Sequence, residues 1–101
     1  METRVEHQPE QHRFVLYLGL TIAAVSEYFD VDSERNFYHT VTLPQYRGRG
    51  FAAVLTERAL DDTREQGMTV MPSCWFVSEF IETNADRYAS MITPAGPPAA
   101  R

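Results

Sequence analysis

Apolar and polar residues alternate along the first half of the chain, which predicts β-strands. In the segment His12–Leu20, the apolar residues Phe14, Leu16 and Leu18 recur at every second position, the spacing that places them on one face of a strand. The polar segment Asp30–Arg35 predicts a turn. β-Branched and aromatic content predicts a second strand at Thr21–Phe29, a third strand is predicted at Asn36–Leu43, and Thr3–His7 is a candidate short edge strand. Strands joined by such short links favour an antiparallel meander.

The spacing of apolar residues becomes helical in the second half of the chain. Phe51, Leu55 and Ala59 recur at every fourth position, which predicts a helix from about Gly48 to Gln66 with one face in the core. Gly67 is placed to end this helix.

A short strand and a second helix are predicted next. The apolar run Met68–Met71 reads as a buried strand, and a right-handed crossover would place it parallel to the third strand. Trp75–Thr83 has the pattern of a helix with Phe76, Val77, Phe80 and Ile81 directed inward. The sequence therefore predicts one α/β (α+β) domain over residues 1–92, followed by a disordered tail at residues 93–101.

Composition narrows the classes of function. A chain of 101 residues allows one small domain, and its net charge of −5 disfavours nucleic acid as a partner. A single cysteine excludes an internal disulfide and a cysteine-based zinc site, so no metal is expected. Without an apolar run long enough to span a membrane, we expect a cytoplasmic protein. Four acidic residues near the predicted turn form either a solvated loop or an attractive surface for a cationic amine: Glu27, Asp30, Asp32 and Glu34.

A basic, glycine-containing loop precedes the first helix. It reads Pro44-Gln45-Tyr46-Arg47-Gly48-Arg49-Gly50-Phe51-Ala52. A loop with alternate glycines that opens into a helix leaves backbone N–H groups free. The helix dipole and two arginines would then attract a phosphate or pyrophosphate. Turns of this composition also form for geometric reasons alone, so the loop by itself leaves both interpretations open.

The spacing Arg47-x-x-Gly50-x-Ala52 resembles the pyrophosphate loop of the GNAT superfamily of acetyl-CoA-dependent N-acetyltransferases, which reads Gln/Arg-x-x-Gly-x-Gly/Ala. It lacks the Gly-Lys-Ser/Thr of a Walker A loop and the third glycine of a dinucleotide fingerprint. The resemblance implies a minimal GNAT-like fold: a three-strand antiparallel meander, a helix, a parallel strand and a helix.

Two further motifs resemble a subfamily of very small, single-domain GNAT-like proteins. These are His39-Thr40 and Pro72-Ser73-Cys74 with the following aromatic residue, and the resemblance extends over Arg13–Tyr88. The chain departs from the subfamily pattern at three positions: Val41 replaces Glu, Thr42 replaces Val and Thr63 replaces Ala. Any role of that glutamate is missing here or falls to another residue.

The resemblance implies acetyl-CoA as the cofactor. The phosphates would lie on the loop and the pantetheine arm would lie along the main chain of the third strand, as an added pseudo-strand. Backbone N–H groups near Leu43 would stabilise the oxyanion. The implied cofactor-binding residues are Thr40, Val41, Thr42, Leu43, Arg47, Gly48, Arg49, Gly50, Phe51 and Ala52.

Cys74 and His39 are the candidate catalytic residues. A lone cysteine is most often a small buried apolar residue, but the resemblance places Cys74 at the acetyl end of the cofactor. There a thiolate, favoured by the start of a helix, would accept the acetyl group or only contact the thioethanolamine end. His39 is either a structural hydrogen-bonding residue or the base that deprotonates the amine. Glu79 is a further candidate base, or an ordinary solvated residue on a helix surface. Tyr88 is a further candidate general acid, or an ordinary packing residue.

The implied reaction is acetyl transfer to an amine, either a small molecule or a protein lysine. A coenzyme A-binding module without turnover is the alternative, because no carboxylate base is evident. A redox protein using Cys74 would lack a resolving cysteine. The sequence leaves the acceptor and the oligomeric state open.

Overall fold

Residues 2–92 are described by a computed structural model of the chain, and the predicted tail at residues 93–101 lies outside them. The strands are β1 (Thr3–Gln8), β2 (Arg13–Leu18), β3 (Thr21–Val31), β4 (Glu34–Thr42) and β5 (Thr69–Pro72). The helices are α1 (Phe51–Glu65), α2 (Trp75–Thr83) and the short α3 (Ala85–Tyr88). Single 3₁₀ turns lie at Pro9–Gln11, Pro44–Tyr46 and Ala89–Met91.

One sheet contains all five described strands, in the order β1-β2-β3-β4-β5. The first four pair antiparallel, and β5 pairs parallel to β4. Helix α1 makes the crossover between β4 and β5, which a parallel connection requires. This arrangement confirms the predicted α+β fold, and β1 is a full strand at the sheet edge.

The core lies between one face of the sheet and the helices. Phe14 and Leu16 of β2 are buried against the α1 residues Leu55 and Ala59, as the two periodicities predict. On α2, Val77 and Ile81 are buried, whereas the expected inward residues Phe76 and Phe80 are only half-buried. The second helix therefore keeps part of its apolar side available beside α1.

Helix α1 begins later than predicted. It starts at Phe51 rather than Gly48, because Gly48 and Gly50 have φ values of 80° and 79°. These values lie in the left-handed region, which a right-handed helix excludes and which glycine adopts without strain. The two glycines therefore belong to the loop and set the direction in which the helix leaves it.

The predicted turn at Asp30–Arg35 is wrong, because most of this segment is strand. Only Asp32 and Ser33 form the turn, and Asp30 pairs with Arg35 across the ladder. The Arg35 guanidinium donates to both Asp30 carboxylate oxygens at 2.9 and 3.0 Å and lies 4.1 Å from the centre of the Tyr28 ring. An ion pair and an aromatic face thus hold polar residues in extended backbone.

Arg35 also explains one departure from the subfamily pattern. It is 3% exposed, and its Nη1 donates to the Thr63 hydroxyl at 3.3 Å. Thr63 in turn donates to the Ala59 carbonyl at 2.8 Å. A buried guanidinium must have partners for its N–H groups, and the hydroxyl at position 63 provides one that alanine lacks.

No helix within residues 2–92 is both long enough and apolar enough to cross a lipid bilayer.

Candidate functional site

The two parallel strands separate partway along their length. Pairing between β4 and β5 covers Glu34–Phe37 and Thr69–Pro72, and the Cys74 N–H donates to the Phe37 carbonyl at 2.8 Å as the next link. Beyond this point β4 continues to Thr42, paired with β3 alone among the described strands. The section Tyr38–Thr42 therefore has an open side, which we call the open edge of β4.

Backbone groups of alternate residues face this open edge. The Leu43 N–H donates to the Ala23 carbonyl of the neighbouring chain segment at 2.9 Å. Because backbone directions alternate in an extended chain, the N–H and C=O groups of Thr40 and Thr42 point to the other side. The Thr42 carbonyl accepts from Nε of Arg47 at 3.2 Å. The Leu43 N–H is consequently engaged within the sheet and does not supply the oxyanion donor expected from it.

The loop before α1 presents unbonded N–H groups at the helix start. The first bond of the helix is Val54 N–H to the Gly50 carbonyl at 3.2 Å, and no side chain caps this end. The N–H groups of Phe51, Ala52 and Ala53 thus have no acceptor from the helix. A Cβ placed on Gly48 or Gly50 would meet no heavy atom within 4 Å, so the backbone here is open to approach.

Positive charge surrounds this helix start. Arg47 and Arg49 are exposed, and the Arg49 guanidinium lies 5.0 Å from the centre of the Phe51 ring. With the positive end of the α1 dipole, these groups form an environment suited to a phosphate or pyrophosphate. Of the residues assigned to the phosphates, Arg47 to Gly50 are exposed, Ala52 is half-buried and the Phe51 side chain is buried in the core.

Cys74 contacts the open edge of β4. It is the residue immediately before α2, it is partly buried, and its thiol donates to the Thr40 hydroxyl at 3.4 Å. The folded chain brings together two predicted site residues that are 34 positions apart. A group bound along the open edge would meet both side chains.

His39 does not share this position. Side chains alternate along β4, so His39 points to the opposite face of the sheet from Thr40. It is exposed there and lies across from Glu27 of β3. The two candidate catalytic residues, His39 and Cys74, therefore flank β4 from different faces.

Tyr88 is placed for structure. Its side chain is fully buried, and its hydroxyl donates to the Asp61 carboxylate at 2.9 Å. Burial, together with this bond and the Asp61 charge, raises the pKa of Tyr88 to about 12. Asp61 lies ten residues into α1, roughly 15 Å along the axis from the helix start at 1.5 Å per residue. The hydroxyl is thus committed to the far half of α1.

A groove that the sequence did not predict lies between α1 and α2. Its volume is about 280 Å³, and it borders Ala53, one of the residues with a free N–H. Phe76 and Phe80 form its apolar side, and the exposed Glu79 lies at its rim. The sequence signal for the groove is two phenylalanines four positions apart, a spacing that predicts core residues equally well.

Among residues 2–92, no three His, Cys, Asp or Glu side chains are grouped so that they could hold a metal ion.

Comparison with known proteins identifies the family whose sequences this chain matches. Residues 13–91 match the family of GCN5-related N-acetyltransferases. The chain is 34% identical over 94 residues to Protein NATD1 of Bos taurus, covering 90% of this chain and 83% of that protein. It is 32% identical over 94 residues to Protein NATD1 of Homo sapiens, with 90% and 83% covered.

Solved structures show the same fold. A GCN5-like protein from Staphylococcus aureus superimposes with a TM-score of 0.62 at 20% identity, covering 91% of this chain and 89% of that chain. The ribosomal-protein-S18-alanine N-acetyltransferase of Escherichia coli gives a TM-score of 0.62 at 20% identity. There the match covers 76% of this chain and 54% of the enzyme, so the chain spans about half its length.

Proposed function

Since the chain belongs to the GCN5-related N-acetyltransferase family, we propose that it binds acetyl-CoA and transfers the acetyl group to an amine. The observation that carries this proposal is the separation of β4 from β5 after Phe37. It leaves an extended stretch of unpaired backbone between the thiol of Cys74 and the uncapped start of α1. A cofactor with a diphosphate at one end of a thin amide-containing arm and a thioester at the other has complementary chemistry.

The pyrophosphate binds at the start of α1 in this proposal. The N–H groups of Phe51, Ala52 and Ala53 would donate to its oxygens, and Arg47 and Arg49 would contribute positive charge. The groove beside Ala53 would take the part of the nucleotide that extends past the diphosphate. Its two phenylalanines provide apolar surface for a planar ring.

The pantetheine arm lies along the open edge of β4. The outward backbone groups of Thr40 and Thr42 would bond its amides as a neighbouring strand would. This contact uses the main chain, so Val41 and Thr42 in place of Glu and Val do not oppose it. The N–H of Thr40 or Thr42, rather than that of Leu43, would then stabilise the oxyanion of the tetrahedral intermediate.

Acetyl transfer places Cys74 and His39 on the two sides of the reacting carbon. The Cys74 sulfur would attack the thioester carbonyl, its thiol proton would pass to the departing CoA sulfur, and the acetyl group would remain on Cys74 as a thioester. An amine approaching from the His39 face then attacks the acetyl carbon, gives its proton to the imidazole and releases the thiolate. Rotation of the Thr40 hydroxyl would let it donate to the thiolate and stabilise its charge.

Intact-mass spectrometry after incubation with acetyl-CoA tests this proposal. We expect a mass increase of one acetyl group, lost on addition of an acceptor amine and absent in Cys74→Ser. Amine acetylation without an acetylated protein would assign direct transfer from the cofactor. Absence of both coenzyme A binding and acetylation would overturn the proposal.

A module that binds coenzyme A without turnover is the second candidate. It is favoured by Val41, which stands where the subfamily pattern has Glu and leaves that position without a carboxylate base. Retained acetyl-CoA, with no acetylated product across a panel of small amines and lysine peptides, would identify it. In the enzyme, His39→Ala should slow acetyl transfer to the amine and leave acetylation of Cys74 intact.

A further inference from the structure

The outer side of β1 is an unpaired strand edge within residues 2–92. The Gly19 N–H donates to the Glu2 carbonyl at 3.2 Å, which fixes the backbone directions in β1. Even-numbered residues direct their backbone groups to β2, and Thr3, Val5 and His7 direct theirs outward. An edge with three outward-facing residues is a template for one more antiparallel strand.

We propose that this edge pairs with β1 of a second copy of the chain, antiparallel and centred on Val5. The two Val5 residues would face each other and exchange N–H···O=C bonds, and Thr3 would do the same with the partner's His7. Each copy would thereby contribute its five strands to a continuous ten-stranded sheet. The twofold axis would pass between the two Val5 residues.

The charges of β1 select this register. Arg4 and Glu6 are equidistant from Val5, and in one copy they already bond to each other at 2.7 Å on the same strand face. With Val5 at the centre, each Arg4 lies opposite the partner's Glu6, which favours pairing. A shift of the centre to Arg4 places arginine against arginine, and a shift to Glu6 places glutamate against glutamate. Both alternatives oppose like charges, and each leaves one of the three outward residues of β1 without an outward partner in the other strand.

A cavity beside β1 also opens at this edge. It has a volume of about 130 Å³ and is lined by Val5, His7 and Phe14 from the sheet and by Arg58, Asp61, Asp62 and Glu65 from α1. Arg58 and Glu65 are exposed, lie seven positions apart on the same face of the helix, and form no ion pair within residues 2–92.

The proposed contact leaves the candidate site accessible. β1 is at one edge of the sheet, and the open edge of β4 and β5 are at the other. Disruption of the dimer should therefore leave cofactor binding unchanged, which separates this inference from the proposed function.

Sedimentation velocity of the intact chain over a range of concentrations tests the proposal. We expect a reversible dimer whose dissociation constant rises about tenfold or more in Arg4→Glu and in Glu6→Arg, because two attractive pairs become two repulsive ones in each. The double variant, Arg4→Glu with Glu6→Arg, should restore the dimer. An equimolar mixture of the two single variants should give a mixed dimer, since one chain then presents only arginine and the other only glutamate.

Glu82→Arg on the exposed side of α2 is the matched control for Glu6→Arg, because it makes the same change in net charge away from β1. It should leave the dissociation constant unchanged, and circular dichroism should show that all variants keep the fold. A chain that stays monomeric at every concentration overturns the proposal. A dimer that does not respond to the Arg4 and Glu6 variants overturns it as well.

Discussion

The Cys74 thiol donates a hydrogen bond to the Thr40 hydroxyl at 3.4 Å. This contact joins the residue before α2 to the section of β4 that β5 leaves uncovered. Cys74 is partly buried and also packs against the hydrophobic core. The hydrogen bond therefore gives the Cys74 thiol, the proposed nucleophile, a defined position beside the strand edge on which the cofactor arm is proposed to lie.

We predict that Cys74→Ser keeps the fold and the affinity for coenzyme A but abolishes covalent acetylation of the protein. The volume change is small, whereas an alcohol is far less nucleophilic than a thiolate. Thr40→Val is the matched variant, since it removes only the hydroxyl partner at nearly constant volume; acetylation should slow and not disappear. Intact-mass kinetics measure both. A Cys74→Ser chain that transfers acetyl groups at the wild-type rate would exclude the thiol as nucleophile.

Acetyl-CoA should stabilise the fold through the loop before α1. At a hundredfold excess over the dissociation constant, binding linkage adds about 2.7 kcal/mol, equivalent to several degrees in melting temperature for a domain of this size. Arg47→Gln and Arg49→Gln, both in the loop, should each reduce the thermal shift. Arg58→Gln, which lies on α1 away from its start, should not. Equal shifts in all three variants would separate the loop from cofactor binding.

Gly50 needs separate measurements of stability and affinity. The open space around its Cβ position means that alanine meets no neighbour, but its φ of 79° is unfavourable for any residue with a side chain. Gly50→Ala should therefore lower the stability of the unliganded chain by about 1–2 kcal/mol. Calorimetric titration then measures the affinity for coenzyme A separately from the stability, so that a loss of binding is distinguished from a loss of folding.

We predict that Tyr88→Phe lowers stability by about 1 kcal/mol and leaves acetyl transfer unchanged. The hydroxyl donates to Asp61 in the far half of α1, so its loss removes one structural hydrogen bond. It removes no group from the open edge of β4. Chemical denaturation and the transfer rate measure the two effects. A large loss of rate at unchanged stability would restore Tyr88 as the general acid.

His7 should make stability fall with acidity. Burial is the main cause that lowers the pKa of His7 below its usual value, and the Arg35 charge adds to it, against opposing effects of Asp62 and Asp30. The neutral ring bonds to the Tyr28 hydroxyl at 2.5 Å. Above pH about 6.5 the imidazole is neutral in both states. As the pH falls below this value, the unfolded chain takes up the proton first and folding is penalised.

Melting temperatures at pH 7.5 and 5.5 test this prediction for the wild type, His7→Gln and His12→Asn. His7→Gln should show a smaller decrease on acidification than the wild type. His12 is exposed in the turn after β1 and serves as the matched control. An equal decrease in the wild type and His7→Gln would remove His7 from the acid sensitivity.

The sequence predicted the elements in which backbone preference and periodicity agree. Phe14, Leu16 and Leu18 on β2 and the four-residue steps of α1 lead directly to the core, and the family resemblance through the Arg47–Ala52 loop is confirmed by the match over residues 13–91. The segment Asp30–Arg35 was misread because its polar composition is typical of turns. Its strand conformation is supported by the contacts of Arg35 with Tyr28 across the hairpin and with Thr63, which is 28 positions away in sequence.

The site was predictable in its residues but less so in its geometry. Motifs identified Cys74 and Thr40, yet only the end of β4–β5 pairing shows that they meet. The engagement of the Leu43 N–H with Ala23 and the position of His39 on the opposite face depend on strand register. A shift of the strand register by one residue would reverse both the side chain's face and the direction of the backbone groups, so local sequence patterns could not determine them.

The open edge of β4 has a consequence for the exchange of amide protons with solvent. Val41 lies opposite Val25, within the ladder to β3, whereas the amides of Thr40 and Thr42 face away from it. Deuterium should therefore enter Thr40 and Thr42 much faster than Val41, giving alternating protection along one strand. Coenzyme A lying against the edge should slow exchange at Thr40 and Thr42 and leave Val41 nearly unchanged. The alternating exchange rates in the unliganded strand would thus identify the amides that are available to bond the cofactor.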